Sequence, residues 1–412
     1  MSGALGLLRA PAVAVYLFTI TANVNLTGFY ATLPTFRDDL GLSELAGSAI
    51  ATSSGLAMIP LALPMGMISD RFGARRVTTI CIALVLLSGL GSALAVDAWT
   101  LLAARILFGI GFTGMLTAAI AWLSASLSLR ARARAIGGIM PAAGVGGLIG
   151  PYLAGGLVDA SGLRAAFLAV TALSGLNLLL ALTSRPGGQP PPHEPVPART
   201  LLAALRVPVI AAGCALVLIG VITDIVLSIL VPQQLDDNGL SAGSIGAIFS
   251  LSGGVYIVAT LIAVRWADRL VTLRRAGLSS FAVACVLVPV AISNETWAQA
   301  STMALRGLVI GVAFVICFPL ATIGASAVGL ALGAASGVVM LASGTANGVA
   351  PLGGRAVAEL VGSRWTYVLL GVAAIAAGLW MVRASRGGAG EVLERRHDEP
   401  APIEAAAVEA GP

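Results

Sequence analysis

Two passages of this chain occur twice, half a chain apart. Residues 34–43 read PTFRDDLGLS and residues 232–241 read PQQLDDNGLS, an offset of 198. Residues 150–167 read GPYLAGGLVDASGLRAAF and residues 350–367 read APLGGRAVAELVGSRWTY, an offset of 200. In the longer passage Pro151 answers Pro351, Asp159 answers Glu359, Gly162 answers Gly362, Arg164 answers Arg364 and Phe167 answers Tyr367. An offset near half of 412 residues means two related halves. In a chain this apolar, two related halves imply the layout of a transporter, with two bundles facing each other across a central cavity.

Hydrophobic residues make up 58% of the chain and charged residues 10%, with a mean hydropathy of +0.95. That excludes a soluble globular protein. Twelve apolar runs are each long enough to cross a bilayer, which takes about 20 helical residues. They lie at roughly 11–33, 45–68, 76–96, 99–122, 136–158, 164–183, 208–231, 243–265, 275–293, 297–321, 333–356 and 365–383. The prediction is an all-α membrane protein whose twelve transmembrane helices form two pseudo-symmetric six-helix bundles. The first bundle is expected over 1–183 and the second over 207–383. The proline-dense stretch 184–206 reads as an exposed linker. The polar stretch 384–412 reads as a disordered cytoplasmic tail. The first apolar run reads as a retained helix rather than a cleaved signal.

All the positive charge is arginine. With the N-terminus inside, eighteen of the 24 arginines fall on the inner side, and only Arg37, Arg164, Arg355 and Arg364 fall outside. The positive-inside rule then puts both termini in the cytoplasm, in the cytoplasmic cell membrane. The net charge of +5 belongs to this topology, and no basic patch for nucleic acid stands apart from it. The six tryptophans, Trp99, Trp122, Trp266, Trp297, Trp365 and Trp380, fall near ends of the apolar runs and read as an interfacial belt. Cys81, Cys214, Cys285 and Cys317 lie inside apolar runs without ligand spacing. His193 and His397 fall in the linker and tail. No metal or other cofactor is expected.

The loop after the second run reads Gly66-Met-Ile-Ser-Asp70-Arg71-Phe-Gly73-Ala-Arg75-Arg76. It resembles the signature G-x-L-x-D-R-x-G-R-R of the major facilitator superfamily, departing from it at Ala74. A worn copy, Ala267-Asp268-Arg269 followed by Arg274 and Arg275, sits in the second half. The fourth run carries Leu101-x-x-x-Arg105-x-x-x-Gly109-x-Gly111, which resembles a second signature of that family. The resemblance implies a role for Arg105 in substrate binding or proton transfer. Arg306 is its repeat partner, at an offset of 201. An arginine near mid-bilayer costs at least about 2.5–3.5 kcal/mol, so it must face protein or a wet cavity, or snorkel to an interface. The fifth run carries Gly146-x-x-x-Gly150-Pro151-x-x-Ala154-Gly155. It resembles G-x-x-x-G-P-x-x-G-G, the mark of the family's exporter (antiporter) branch.

Asp224 is the sole acid in the middle of any run. Dehydration disfavours a charged carboxylate, which suits a group that takes up and releases a proton; the plain alternative is a structural acid held by an arginine or hydroxyl. Many family exporters carry their key acid in the first helix, where this chain has Asn23 and Asn25. The paired acids Asp38-Asp39 and Asp236-Asp237 could suggest a metal-diphosphate site, but they read better as solvated helix ends.

The family resemblance implies rocking of the halves about a midplane site lined by the first, fourth, seventh and tenth helices. Cavity groups expected to bind substrate are Asn23, Asn25, Tyr30, Arg105, Asp224, Arg306 and Asn347, with Asp224 and Arg105 serving proton coupling. Asp70 is expected to gate by docking on the start of the eleventh helix near residues 335–337. The reading is proton-driven export of a small organic molecule, a drug or metabolite, by a monomer. The alternative is a same-fold importer or facilitator of a small anion. No nucleophile–base constellation within the runs suggests an enzyme.

Overall fold

The computed structural model describes residues 11–62, 64–126, 138–184, 205–327 and 332–386. Side-chain surroundings are described for all of these except residues 62, 66, 67, 70, 116, 124, 125, 140, 267, 268, 318, 322, 323, 325–327, 332–338 and 340. The linker beyond Ser184, the tail, the arginines at 130–134, His193 and His397 therefore lie outside the described residues. So do the surroundings of Gly66 and Asp70 and of residues 335–337, on which the expected gate rests.

Twelve spans are present. The first is Pro11–Ala31, the second Glu44–Ala62 with Pro64–Phe72, the third Ala74–Ala93, and the fourth Ala98–Leu116 with Ala118–Ser126. The fifth and sixth form one helix, Ile139–Thr183, turned at Gly162. The seventh is Pro208–Asp237, the eighth Ala242–Val264, the ninth Leu273–Val286 with Val288–Ile292, the tenth Thr296–Ala327, the eleventh Leu332–Val361 and the twelfth Ser363–Ser385. Among the described residues nine helical stretches are individually long and apolar enough to cross a bilayer, and one of them holds the fifth and sixth spans together. Large apolar side chains such as Leu87, Leu179, Leu261 and Ile375 point outward, as suits a surface that faces lipid.

Prolines inside the spans do not stop the helices. Pro60, Pro151, Pro319 and Pro351 sit within continuous helix, because in a bilayer any alternative backbone leaves polar groups unmet. Pro64 and Pro289 instead open new helical segments, where the missing N–H costs least.

The written repeat is also a repeat of backbone shape. Gly41 and Gly239 both have positive φ, at 61° and 81°, and end corresponding turns. Gly162 and Gly362 have φ of 80° and 88° and turn the fifth span into the sixth and the eleventh into the twelfth. These turns share one end of the molecule with residues 34–43 and 232–241. That end is called the repeat end here, and the opposite one the linker end.

Each half is a six-helix bundle. The halves meet along two seams, the second span on the eleventh and the fifth on the eighth. At the repeat end the core runs unbroken across the boundary: Phe29, Phe36 and Phe167 of the first half join Leu230, Leu235 and Tyr367 of the second in one apolar cluster. The polar links between the halves also lie toward this end. Asp159 Oδ2 accepts from Gly243 N at 2.9 Å, and Leu352 N donates to Thr52 Oγ1 at 2.7 Å. Arg37 faces Asp236 at 3.5 Å, and Glu44 pairs with Arg355.

The tryptophan belt needs one correction. Trp99, Trp266, Trp297, Trp365 and Trp380 are exposed, but Trp122 is only 1% exposed and packs into the first-half core. The fourth span bends at Thr117, between its two helical segments, and carries Trp122 inward rather than to the headgroups.

Candidate functional site

The site lies between the bundles. A cavity of about 260 Å³ is walled by the first, second, fourth and fifth spans of one half and by the seventh, eighth, tenth and eleventh of the other. Four more spans contribute than the sequence resemblance implies. The wall is mostly apolar, with Met58, Phe112, Met115, Phe249, Ile310 and Phe314 among its residues. Polar groups are few: Thr19, Asn23, Thr27, Tyr30, Asp224, Ser228, Tyr256, Arg306, Ser343 and Asn347 among them. This suits a solute held by surface contact and a few polar anchors.

Asp224 is the one acid on this wall among the described residues, and Arg306 the one base. Arg306 Nε donates to Asp224 Oδ1 at 2.6 Å. The side chain of Asp224 is 33% exposed and that of Arg306 14%, so the carboxylate is the more open of the two. Arg306 is further held by Met303 Sδ at 3.3 Å and lies 5.6 Å from the Phe249 ring centre. Across the cavity, Asn23 Nδ2 donates to Thr19 O, and Asn347 Nδ2 to Ser343 O, both at 2.8 Å. These bonds leave each amide oxygen for another partner.

Asn25 and Arg105 are placed differently from the expectation. Neither lines the cavity. Arg105 is wholly buried, so it does not snorkel. Its Nη1 donates to Asn25 Oδ1 at 2.7 Å. The Phe29 and Phe108 rings lie 4.1 and 4.3 Å from the guanidinium carbon, so the charge is met by two aromatic faces. Its Nε and Nη2 have no hydrogen-bond partner among the described residues, nor has Asn25 Nδ2. Tyr30 stands on the cavity wall within electrostatic reach of both Arg105 and Asp224.

The glycine signature of the fifth span faces two ways. Gly146 and Gly150 let the first span approach: an added Cβ would meet Ile20 O at 2.6 Å and Val24 O at 2.8 Å respectively. Gly155 faces the start of the eighth span, where a Cβ would strike the Ala242 carbonyl. Pro151 lines the cavity between these two contacts. In the loop signature, Gly73 has a φ of 90° and starts the third span. Arg75 Nη2 donates to Leu182 O at 2.7 Å and so closes the C-terminus of the sixth span. Arg71 lies over Phe72, and Arg76 is exposed.

The eighth span's Phe249 and Tyr256, and Phe112 of the fourth, were absent from the sequence reading of the wall. The signal open to sequence was the glycine pair Gly253–Gly254 beside Tyr256, which marks a close approach of helices. The paired acids also find their use. Asp38 and Asp236 both face Arg37, at 3.0 and 3.5 Å, as part of the repeat-end closure.

Two repeated six-helix bundles with a polar-anchored cavity between them define a transporter fold. The chain belongs to the Major Facilitator Superfamily, whose profile matches residues 14–346 and, again, 226–409. It is 36% identical over 136 residues to the tetracycline resistance protein, class C, of Escherichia coli, covering 33% of this chain and 34% of that protein. It is 31% identical over 193 residues to a multidrug resistance protein B homologue of Mycobacterium tuberculosis, covering 46% of this chain and 35% of that protein. The chain thus spans about a third of the length of these relatives. Among solved structures it resembles a bacterial homologue of the human lysosomal transporter Spinster, in an inward-facing, unoccupied conformation. The TM-score is 0.71 at 17% identity, covering 95% of this chain and 98% of that one. It also resembles a D-xylose–proton symporter, with a TM-score of 0.70 at 18% identity over 90% and 96% of the two chains. At such identities the likeness concerns the fold.

Proposed function

We propose that this protein is a secondary transporter that exports a small organic molecule, a drug or metabolite, in exchange for protons. The observation that carries the reading is the Asp224–Arg306 pair on the cavity wall. A proton on Asp224 discharges the pair and frees Arg306; its release restores the carboxylate. A solute with a basic group competes with the proton for Asp224, so the two occupy the site in turn, which is exchange. A solute with an acidic group binds Arg306 best while Asp224 is protonated, so the two travel together, which is the import reading. Exchange is favoured by the greater exposure of the carboxylate and by the resistance and efflux names of the partial relatives. The fifth-span glycine signature supports it too. The arginine distribution supports a cytoplasmic linker end. The repeat end then faces outward, and its closed seams correspond to an inward-facing state.

The test is transport in reconstituted vesicles under an imposed pH gradient, with tetracycline, methyl viologen and benzoate as probes. Methyl viologen or tetracycline moving against the proton gradient, and losing that coupling in Asp224→Asn while downhill exchange persists, is the expected result. Benzoate moving with protons would replace export by the anion reading. Undiminished gradient-driven flux in Asp224→Asn would remove Asp224 from the mechanism.

A further inference from the structure

The eighth and tenth spans meet closely on one side and part on the other. A Cβ on Gly307 would strike the Ser252 carbonyl, and one on Gly311 would come within 2.9 Å of Tyr256 O. Beside these glycines, toward the linker end, lies a groove of about 440 Å³. It shares no residue with the central cavity. Ala259 and Ala263 are buried and form its floor, while the larger Ile262 and Leu308 are exposed and form its walls. An apolar furrow on the outside of a membrane bundle faces acyl chains.

One end of this groove is basic. Trp266, Arg269 and Arg275 line it from the segment that joins the eighth span to the ninth. The Arg269 guanidinium lies over the Trp266 ring, 5.2 Å from its centre. Arg275 donates to Arg269 O, which holds the two arginines side by side. Both are exposed, and neither makes an ion pair among the described residues. No acid lines the groove among the described residues. Residues 265–275 carry four arginines against one acid, Asp268. The first half spends its copy differently. Arg75, offset from Arg275 by 200, donates to Leu182 O and closes the sixth span. The second half keeps its copy beside the groove.

We propose that this groove seats one anionic phospholipid, with its phosphodiester on Arg269 and Arg275 and an acyl chain between Ile262 and Leu308. Guanidinium forks match phosphate oxygens, and an indole suits the headgroup level. Basic pockets between membrane spans hold anionic headgroups for these reasons. A soluble anion would use the arginines and leave the apolar walls idle, and an apolar solute would do the reverse. A charged phospholipid uses both. The seat lies wholly within the second half, so rocking of the two halves leaves it intact.

The experiment counts bound lipid by native mass spectrometry on full-length purified protein in detergent. The probes are phosphatidylglycerol, phosphatidylcholine and inorganic phosphate. Wild type should bind phosphatidylglycerol about tenfold or more better than phosphatidylcholine, and inorganic phosphate at equal concentration should not displace it. Removing both arginines in Arg269→Gln/Arg275→Gln should weaken phosphatidylglycerol about thirtyfold. Leu308→Trp fills the groove and spares the arginines, and it should weaken both phospholipids. Arg386→Gln, at another exposed arginine of the linker end, should bind as wild type does. All these side chains are exposed, so the variants keep the core. Equal retention of phosphatidylglycerol by wild type and Arg269→Gln/Arg275→Gln overturns the seat, as does equal binding of the two phospholipids by wild type. Displacement by inorganic phosphate would make this a soluble-anion site, and wild-type binding in Leu308→Trp would put the acyl chain elsewhere; either result overturns the proposal too.

Discussion

Arg105 is the residue whose surroundings depart furthest from what its type ordinarily receives. A guanidinium has five donors, and here one is taken by an amide oxygen while two aromatic faces cover the plane. The Asn25 oxygen is then worth more than an ordinary acceptor. Removing it in Asn25→Ala should lower stability by about 1–3 kcal/mol, since a buried charged donor is left unmet. Thermal unfolding in detergent measures this, and a melting point equal to wild type would show that the aromatic faces alone suffice. The partnership could not be read from the chain. The first span spreads its polar residues, Thr19, Thr21, Asn23, Asn25 and Thr27, around the helix, so nothing in its pattern says which way residue 25 points, and its partner lies 80 positions away. Trp122 escaped the sequence reading for a related reason. An indole near the end of an apolar run looks interfacial until the bend at Thr117 is known. By contrast, Asp224 was legible, because a single acid in the middle of an apolar run is costly enough to stand out.

At the scale of the element, the readable features were those with a local cause. Span positions followed from hydropathy and were accurate to a few residues. The turns at Gly162 and Gly362 followed from the repeat. Gly162, with φ 80° and ψ 171°, occupies a region open essentially to glycine alone, and Gly362 at 88° and 150° lies close to it. Gly162→Ala and Gly362→Ala should each cost about 1–3 kcal/mol by thermal unfolding, although nothing lies within 4 Å of the added methyl. Equal stability in either variant would mean that its turn relaxes freely. The start of the fourth span supplies a pH-dependent case. Asp97 accepts from Thr100 N at 2.8 Å, and Thr100 Oγ1 bonds back to the same residue. The backbone N–H of Thr100, then its hydroxyl, hold the Asp97 carboxyl below the ordinary range. A lowered value means that the cap's charged contribution is complete above about pH 4 and fades as pH falls through the folded value. Asp97→Asn keeps an acceptor that does not titrate. The gap in melting temperature between wild type and Asp97→Asn should therefore narrow from neutral pH to pH about 3; a constant gap would show the charge to be idle.

At the scale of the molecule, the halves are joined by two seams of unlike chemistry. The fifth and eighth spans meet backbone to backbone: a Cβ on Gly253 would come within 2.8 Å of the Gly147 carbonyl, and one on Gly155 would strike Ala242. The second and eleventh spans also approach closely, at Gly55 and Asn347, but their repeat end is occupied by charge. Arg37, Glu44, Asp236 and Arg355 form a chain across the boundary, extended by Gln233 at 3.1 Å from Arg355. Each pair is partly exposed and worth about 0.2–1 kcal/mol, so Glu44→Gln should raise the population open at the repeat end by up to about fivefold. Spin-label distances between the repeat-end tips of the second and eleventh spans would record it. An unchanged distance distribution would mean that the apolar core beneath holds the closure alone.

The two seams divide the labour of a book's binding. The glycine-lined edge is a spine: beyond the Asp159 carboxylate on Gly243 N, its holding force is contact between backbones, which dissolved ions hardly affect. The charged edge is a clasp, and its grip is shared with every ion in the surrounding water. A rise in ionic strength therefore loosens the charged edge more than the glycine-lined one. If the repeat end faces the cell's surroundings, the salinity outside acts as a thumb on the clasp.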